Sequence, residues 1–331
     1  MPVTERSQVG EVRRAVLVRS AELGWGETDC GTAALIVTEA GTNLVKHATQ
    51  GVILFGVDTH RGALEFLILD RGPGLPWHAM TDGFSTTGTP GLGLGSVARL
   101  ATESEVYSNG GGTAIFARYG PGQKHAPAPA SCRSALSIGA LSVAKPHEQV
   151  CGDATAVHRM RERTLVVMAD GLGHGPAARD AADAVLAACG ERAGGTLPEI
   201  LEAAHAAARH TRGAAVLLVE IDEARGIARA CGAGNISGQI IGPDRTVQLV
   251  SANGTVGMQM NRVREFTYPW DHDFTLVMFS DGLQSRLTLD SYSAWRRRQP
   301  MLVAGLLFRD FGRGRDDASV VVVRGDGEKS S

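Results

Sequence analysis

The hydrophobic and polar positions of the chain fall into two blocks of elements. In the first block, Val9, Val12, Val16 and Val18 recur at near-helical spacing across Glu5–Leu23, and Gly24 and Gly26 close the run. A second helix, with Asp29 as its candidate cap, extends to about Ala48. Val52–Asp58 and Leu64–Leu69 alternate on either side of a turn-like Thr-His-Arg-Gly, the pattern of a β-hairpin. A short helix over Ser96–Ala101 and strands over Ser104–Ser108 and Thr113–Tyr119 complete this block. The second block opens with a strand-like run, Ala135–Ala144. Leu165–Met168 is continuous, apolar and partly β-branched, which predicts a buried strand, and Pro176 suits the first turn of the helix that follows it through Ala188. An alanine-rich helix over Leu197–His210 comes next, and Ala214–Ile221 with Gly226–Cys231 forms a second hairpin. Further strands are expected at Gln239–Ile241, Phe274–Phe279 and Ser319–Val323.

Between the blocks, Gly120–Ser131 mixes glycine with spaced prolines and reads as a semi-extended linker. The expected division is therefore a domain over 1–120, a linker over 121–132, a second domain over 133–325 and a tail over 326–331. At 331 residues and 43% hydrophobic content, the chain has material for two cores. A net charge of −2 and a pI near 6.6 give no electrostatic case for nucleic acid or acidic membranes. No apolar run is long enough to span a bilayer and the N-terminal residues lack a signal-type segment, which predicts a cytoplasmic protein. The five cysteines, Cys30, Cys132, Cys151, Cys189 and Cys231, are odd in number and form no C-x-x-C pair, which argues against a disulfide framework and a zinc site.

The first block carries four polar signatures. Glu39 and Asn43 are four apart on one helix face, hemmed in by Ile36, Val37, Ala40 and Leu44, with Lys46 on the adjacent row. Asp70 leaves a strand beside Gly72 and Gly74. A Gly/Ser/Thr-rich stretch, Gly83–Pro90, leads to Gly91, Gly93 and Gly95 at a helix start, where free N–H groups offer an anion site. Gly112-Thr113 follows a glycine run. Each alone has an ordinary explanation as a solvated stripe or a turn. In this order they resemble the N box, the two glycine boxes and the closing G-T pair of the GHKL ATPase/kinase superfamily. Among its members, D-R-G-P-G-L and G-L-G-L-G-S-V-A-R-L are most similar to the RsbT type of bacterial switch kinase. The resemblance implies a Bergerat-type α/β sandwich that binds ATP and Mg²⁺. It implies Glu39 as general base, Asn43 on Mg²⁺ and Asp70 on the adenine amino group. Lys46, Gly72, Gly74, Gly91, Gly93, Gly95 and Thr113 would line the nucleotide site, and Gly83–Pro90 would be its lid. No Walker A run G-x-x-x-x-G-K-S/T is present, so a P-loop site is excluded.

In the second block, four carboxylates stand at strand ends or in turns beside them: Asp153 in Gly-Asp, Asp170 in A-D-G-L-G-H-G, Asp281 in S-D-G and Asp316 in D-D-A-S. One Asp-Gly is most simply a turn, but acids from separate strands can converge at one rim of a sheet sandwich. Oxygen ligands without a His or Cys cluster point to Mg²⁺ or Mn²⁺ rather than zinc. The order of these motifs resembles the metal-dependent protein phosphatase (PPM) family in its SpoIIE-like bacterial branch, with D-G-L-G-H-G most similar to the RsbX type. The resemblance implies an αββα sandwich, and an α+β class for the chain as a whole. It further implies a two-metal centre: Asp170 bridges both ions, the Gly171 carbonyl binds one, Asp281 and Asp316 bind the other, and Asp153 lies close by. Such a centre hydrolyses phosphoserine or phosphothreonine by in-line attack without a phospho-enzyme. His174 does not occupy the position of the eukaryotic members' histidine, so its expected part is to hold the loop by a hydrogen bond. Asp317 is expected behind the ligands or at the surface.

Together the two resemblances predict a bifunctional partner-switching regulator, a protein Ser/Thr kinase fused to a Mn²⁺/Mg²⁺ protein phosphatase. Its expected partners are phosphorylatable antagonist proteins of the STAS type, with a sigma factor or another switch protein as a further partner. The competing reading makes the front domain a non-catalytic, ATP-dependent binding module or ATP sensor.

Overall fold

A computed structural model describes residues 1–75, 94–122, 136–261 and 263–325. The chain divides into two compact units, Met1–Ala128 and Pro129–Ser331. Most of the expected linker and all of the expected tail lie outside the described residues.

The first unit contains α1 (Arg6–Glu22), α2 (Glu27–His47), β1 (Val52–Asp58), β2 (Ala63–Leu69), α3 (Leu94–Leu100), β3 (Glu103–Asn109) and β4 (Gly112–Tyr119). The strands form one antiparallel sheet in the order β1-β2-β4-β3. Side chains alternate across a strand, so Leu64, Phe66 and Ile68 of β2 and Ile115, Ala117 and Tyr119 of β4 share one face. They close a core with Val9, Val12 and Val16 of α1 and Ile36, Val37, Ala40 and Leu44 of α2. Val18, counted on the apolar face of α1 from its sequence, is 59% exposed. Two residues of helix turn it about 200° from Val16, and the buried row continues to Ser20 instead. Asp29 does not cap α2. Gly26 occupies the cap position, and Asp29 sits in the first turn, where it accepts a hydrogen bond from the Tyr119 hydroxyl at 2.6 Å.

The second unit is an αββα sandwich. One sheet runs β12-β9-β8-β7-β6, from β6 (Asp153–Arg159), β7 (Thr164–Gly171), β8 (Ala214–Asp222), β9 (Ile227–Ala233) and β12 (Phe266–Pro269). The other runs β11-β10-β13-β14-β5, from β5 (Leu136–Val143), β10 (Ser237–Ile241), β11 (Thr246–Gln248), β13 (Thr275–Phe279) and β14 (Ala318–Gly325). Helices α4 (Pro176–Glu191) and α5 (Leu197–Ala207) cover the first sheet, and α6 (Pro300–Phe311) covers the second. The expected helix over Leu197–His210 ends three residues earlier, and Ala208–His210 tightens into a single 3₁₀ turn.

The unbroken apolar run of β7 has a direct cause. Leu165, Val167 and Ala169 point into the core against α4 and α5, while Val166 and Met168 point into the core between the sheets. A strand buried on both faces has no polar positions to alternate with. Helix α6 escaped the sequence reading because it too is buried nearly all round, from Leu302 to Leu307, and shows no polar stripe. Among the described residues, no helix is long and apolar enough to cross a membrane.

Helix α6 lies directly against β5 at Gly139, where an added Cβ would stand 2.2 Å from the Met301 nitrogen. Gly139→Ala is therefore expected to cost about 1–3 kcal/mol of stability, read as a lowered denaturation midpoint. Gly194→Ala, with nothing within 4 Å of the added atom, is the control and is expected to stay within about 0.5 kcal/mol.

Candidate functional site

The carboxylates of the second unit are assembled by strand register. β6 and β7 are antiparallel with Asp153 opposite Asp170. Residues directly opposite share a face, and here that face looks between the two sheets. Asp153 is 1% exposed, and Asp170 is half-buried. The second sheet reaches across to hold Asp153: the Ser280 hydroxyl, just beyond β13, donates to Asp153 Oδ2 at 2.7 Å. Ser280 Oγ in turn accepts the Ser319 N–H at 3.0 Å. Asp281 follows Ser280 and accepts from the Asn235 amide at 2.9 Å.

Two glycines make the assembly possible by their lack of a side chain. A Cβ on Gly171 would lie 1.9 Å from the Ala178 carbonyl oxygen, and one on Gly282 would lie 1.9 Å from the Asp317 carbonyl oxygen. The first lets α4 begin against the end of β7. The second lets the Asp281 turn pack on the Asp316-Asp317 turn. Asp317 is 3% exposed, which removes the surface alternative expected for it. Its carboxylate accepts the N–H groups of Lys145 and Gly152, both at 2.8 Å, and so ties the loop before Asp153 to the loop before β14. Asp316 is exposed and accepts the Asp317 N–H at 3.0 Å. His174 Nδ1 is 2.7 Å from Glu148 Oε1.

The electrostatics of the cluster are one-sided. Burial pushes the Asp170 carboxyl well above the usual carboxylate range, and the charges of Asp153, Asp281 and Asp316 push it the same way. Burial also raises Asp153, against hydrogen bonds from Ser280 and Ser319 that favour its ionised form. Asp153 and Asp170, opposite one another and both raised, with the charges of Asp281 and Asp316 acting on Asp170, are oxygen donors of the kind a hard divalent cation takes. Asp153, Asp170, Asp281 and Asp316 would hold it, with the Gly171 carbonyl at the same strand end.

The first unit brings together a different set. A pocket of about 70 Å³ is lined by Asn43, Asp70, Gly74 and Thr113, with Ala40, Leu44, Ile68 and Ile115 as apolar walls. Asp70 Oδ1 accepts the Gly72 N–H at 2.7 Å, and its own N–H donates to the Thr113 carbonyl at 2.9 Å. Gly112 permits this approach, since a Cβ there would be 2.0 Å from the Asp70 carbonyl oxygen. The Asn43 amide nitrogen is buried with no hydrogen-bond partner among the described residues, a state costing about 1–3 kcal/mol. Apolar walls, a carboxylate at the edge and an orphaned amide fit a flat heteroaromatic ligand with polar substituents. Among the described residues, Glu39 is half-buried and Lys46 exposed, and neither lines the pocket; nor does Gly72. Gly95 falls in α3, while Gly91, Gly93 and the expected lid Gly83–Pro90 lie outside the described residues.

A family model for the histidine kinase-like ATPase domain matches residues 1–119. A model for Stage II sporulation protein E, SpoIIE, matches residues 160–326, just over half of the chain. The chain belongs to the SpoIIE family. The front of this SpoIIE-family protein is 38% identical over 101 residues to the serine/threonine-protein kinase RsbT of Bacillus subtilis strain 168, covering 29% of this chain and 76% of RsbT. Among solved structures, a chain described under "The bacterial stressosome: a modular system that has been adapted to control secondary messenger signaling" aligns with a TM-score of 0.54 and 28% identity, over 57% of this chain and 99% of its own. RsbX, solved in complex with magnesium, aligns with a TM-score of 0.51 and 18% identity, over 57% of this chain and 94% of its own, a likeness of fold. The protein thus joins a GHKL-type ATPase domain to a PPM phosphatase domain.

Sequence reasoning missed Ser280 and Asn235, which carry no signal of their own beyond the acid beside Ser280 in S-D-G and the glycines beside Asn235. Asp317 takes the buried one of the two places expected for it.

The crowding of Asp170 has a measurable sign. The unfolded chain ionises this group near the ordinary 3.8, whereas the cation-free native state keeps it protonated up to about 9. The favourable contribution is complete below the unfolded value and is lost as pH rises through the folded one. Asp170→Asn is expected to flatten that slope and, with chelator at pH 8, to raise the thermal midpoint by roughly 2–4 °C per kcal/mol recovered. A lowered midpoint with the slope intact would contradict the crowding.

Proposed function

We propose that the protein is a cytoplasmic, bifunctional partner-switching regulator, whose second domain dephosphorylates phosphoserine or phosphothreonine on a protein and whose first domain is an ATP-dependent protein Ser/Thr kinase. What supports the phosphatase half is Asp153 standing opposite Asp170, with the charges of Asp281 and Asp316 acting on Asp170. Two Mn²⁺ or Mg²⁺ ions held by these residues would supply an activated water and neutralise the phosphoryl oxygens. The protein's own part is positioning. Ser280 fixes the rotamer of Asp153 across the sandwich, Asn235 fixes Asp281, and Asp317 clamps the two loops that frame the acids. The RsbX fold and its magnesium complex support this reading.

For the first domain, the RsbT likeness and the pocket around Asn43, Asp70 and Thr113 support ATP binding. Asp70 would accept from the adenine amino group, Asn43 would hold Mg²⁺ and Glu39 would take the proton of the acceptor hydroxyl. The partners we assign are antagonist proteins of the STAS type, phosphorylated by one domain and dephosphorylated by the other or by a second switch protein. A specific observation favours a second reading for this half: Glu39 and Lys46 stand outside the pocket lining. On that reading ATP orders a binding surface and no phosphate is transferred.

The deciding experiment is phosphate release from a phosphoserine-bearing antagonist domain with Mn²⁺. Asp170→Ala and Asp281→Ala are each expected to lower the rate by about 100-fold or more; full activity in both variants would remove the metal centre from the mechanism. For the front half, transfer of labelled γ-phosphate to the same domain is expected in the wild type and lost in Glu39→Ala. ATP binding without transfer in the wild type would establish the binding-module reading.

A further inference from the structure

The loop that follows Asp170 carries a feature that the metal centre does not use. β7 and β8 pair with Asp170 opposite Ala215 and Gly171 opposite Ala214. The pairing continues past the strand ends, since the Leu172 N–H donates to the Gly213 carbonyl at 3.0 Å. One step further, Gly173 faces Arg212: the Arg212 guanidinium nitrogen Nη1 lies 3.0 Å from the place a Cβ on Gly173 would occupy. Arg212 is therefore held near the same strand end as Asp170, in the turn that enters the neighbouring strand, three register positions beyond Asp170. It is exposed and, among the described residues, has no hydrogen-bond or ion-pair partner. Arg209 and His210, just before it, are also exposed.

Two exposed apolar side chains belong to the adjoining turns. Leu172 is 44% exposed and Met258 is 65% exposed. They belong to one surface, because a Cβ on Gly213 would come within 3.0 Å of Met258 Cγ while the Gly213 carbonyl binds Leu172. The Met258 loop is anchored rather than loose. Ala214 and Val256 exchange two backbone hydrogen bonds at 2.9 Å, and the Gly257 N–H donates to His205 Nδ1 at 3.0 Å. On the other side, the Thr211 hydroxyl donates to the Ala208 carbonyl at 2.6 Å and accepts the Gly213 N–H at 3.0 Å, which fixes the turn carrying Arg212.

We propose that Arg212 with Leu172 and Met258 is the substrate-recognition element of the phosphatase domain. The guanidinium takes phosphoryl oxygens of a phosphorylated segment on a partner protein, and the apolar pair takes hydrophobic side chains beside the phosphorylated residue. The proposal rests on the phosphatase reading above. Its chemistry is complementary on both counts. A planar guanidinium pairs with a dianionic phosphoryl group by charge-assisted hydrogen bonds, and an anchored methionine with a leucine offers an adaptable apolar contact. An arginine with an apolar pair near an acidic cation site also gives a reason for a protein substrate over a small phosphate ester, which would engage only the charges.

The test compares wild type, Arg212→Ala, Arg212→Lys and the double variant Leu172→Ser with Met258→Ser, in Mn²⁺. The probes are para-nitrophenyl phosphate and a decapeptide with one central phosphoserine flanked by leucines. Binding of the labelled peptide to the same substitutions in an Asp170→Ala background is followed by fluorescence anisotropy, and thermal midpoints check folding. Arg212→Ala is expected to raise the peptide KM and Kd about 10-fold or more, with a smaller fall in kcat and partial recovery in Arg212→Lys. The double variant is expected to raise the peptide KM by a larger factor than the para-nitrophenyl phosphate KM. An active Arg212→Ala protein with unchanged peptide KM and Kd overturns the recognition proposal, as does a double variant that affects both probes equally. A folded wild type that turns over neither probe overturns the phosphatase reading instead, and peptide affinity unaltered by Arg212→Ala would then overturn the recognition proposal as well.

Discussion

Four carboxylates forced into one another's company are the constraint on which the second domain depends. Nothing about aspartate favours this arrangement. For Asp153 and Asp170 burial and like charge both oppose it, and the fold imposes it through backbone contacts that only glycine permits. Gly171 admits the first turn of α4 against the end of β7, and Gly282 admits the Asp316-Asp317 turn against the Asp281 turn. Ser280 then reaches from one sheet to the other to hold Asp153. The acids come from both sheets, so the cluster exists only when the sandwich is packed in register. A slip of one residue in β6 or β7 would turn Asp153 or Asp170 to the opposite face.

The first domain shows the same economy on a smaller scale. Its pocket lies where α2 crosses the strands β2 and β4, and its polar members come from all three. Asn43 is contributed by a helix, Asp70 by the residue that ends β2, and Thr113 by the start of β4. The tie between the Asp70 N–H and the Thr113 carbonyl keeps the two strand residues adjacent. The unpaired amide of Asn43 is the one polar group there that the described residues leave unserved.

Much of this was legible in the sequence, for identifiable reasons. Strands that alternate, such as β2, and a strand buried on both faces, such as β7, announce themselves by period or by its absence. The motif acids were legible because each sits beside a glycine at the end of an apolar run. Val18 misled because valine at near-helical spacing was counted without its angle. Asp29 misled because a capping-type residue stood three positions inside the helix. Helix α6 was silent because its surroundings bury every side, which erases the amphipathic pattern. Arg212 was silent for another reason: its significance lies in a backbone ladder that brings it opposite Gly173, and sequence separation hides that pairing.

The double burial of β7 also bears on how the phosphatase domain could be controlled. A strand covered by helices on one face and by a second sheet on the other exchanges its amides only when the whole unit opens. The aspartate at its end is thus bolted to the least yielding part of the protein. A signal of a few kcal/mol has no soft hinge there to work on. On the proposed reading, control acts at the rim, on the loops around Leu172, Met258 and Asp316, by admitting or withholding the substrate and the cations. The catalytic frame behaves as a fixed anvil, and regulation is a matter of what is laid upon it.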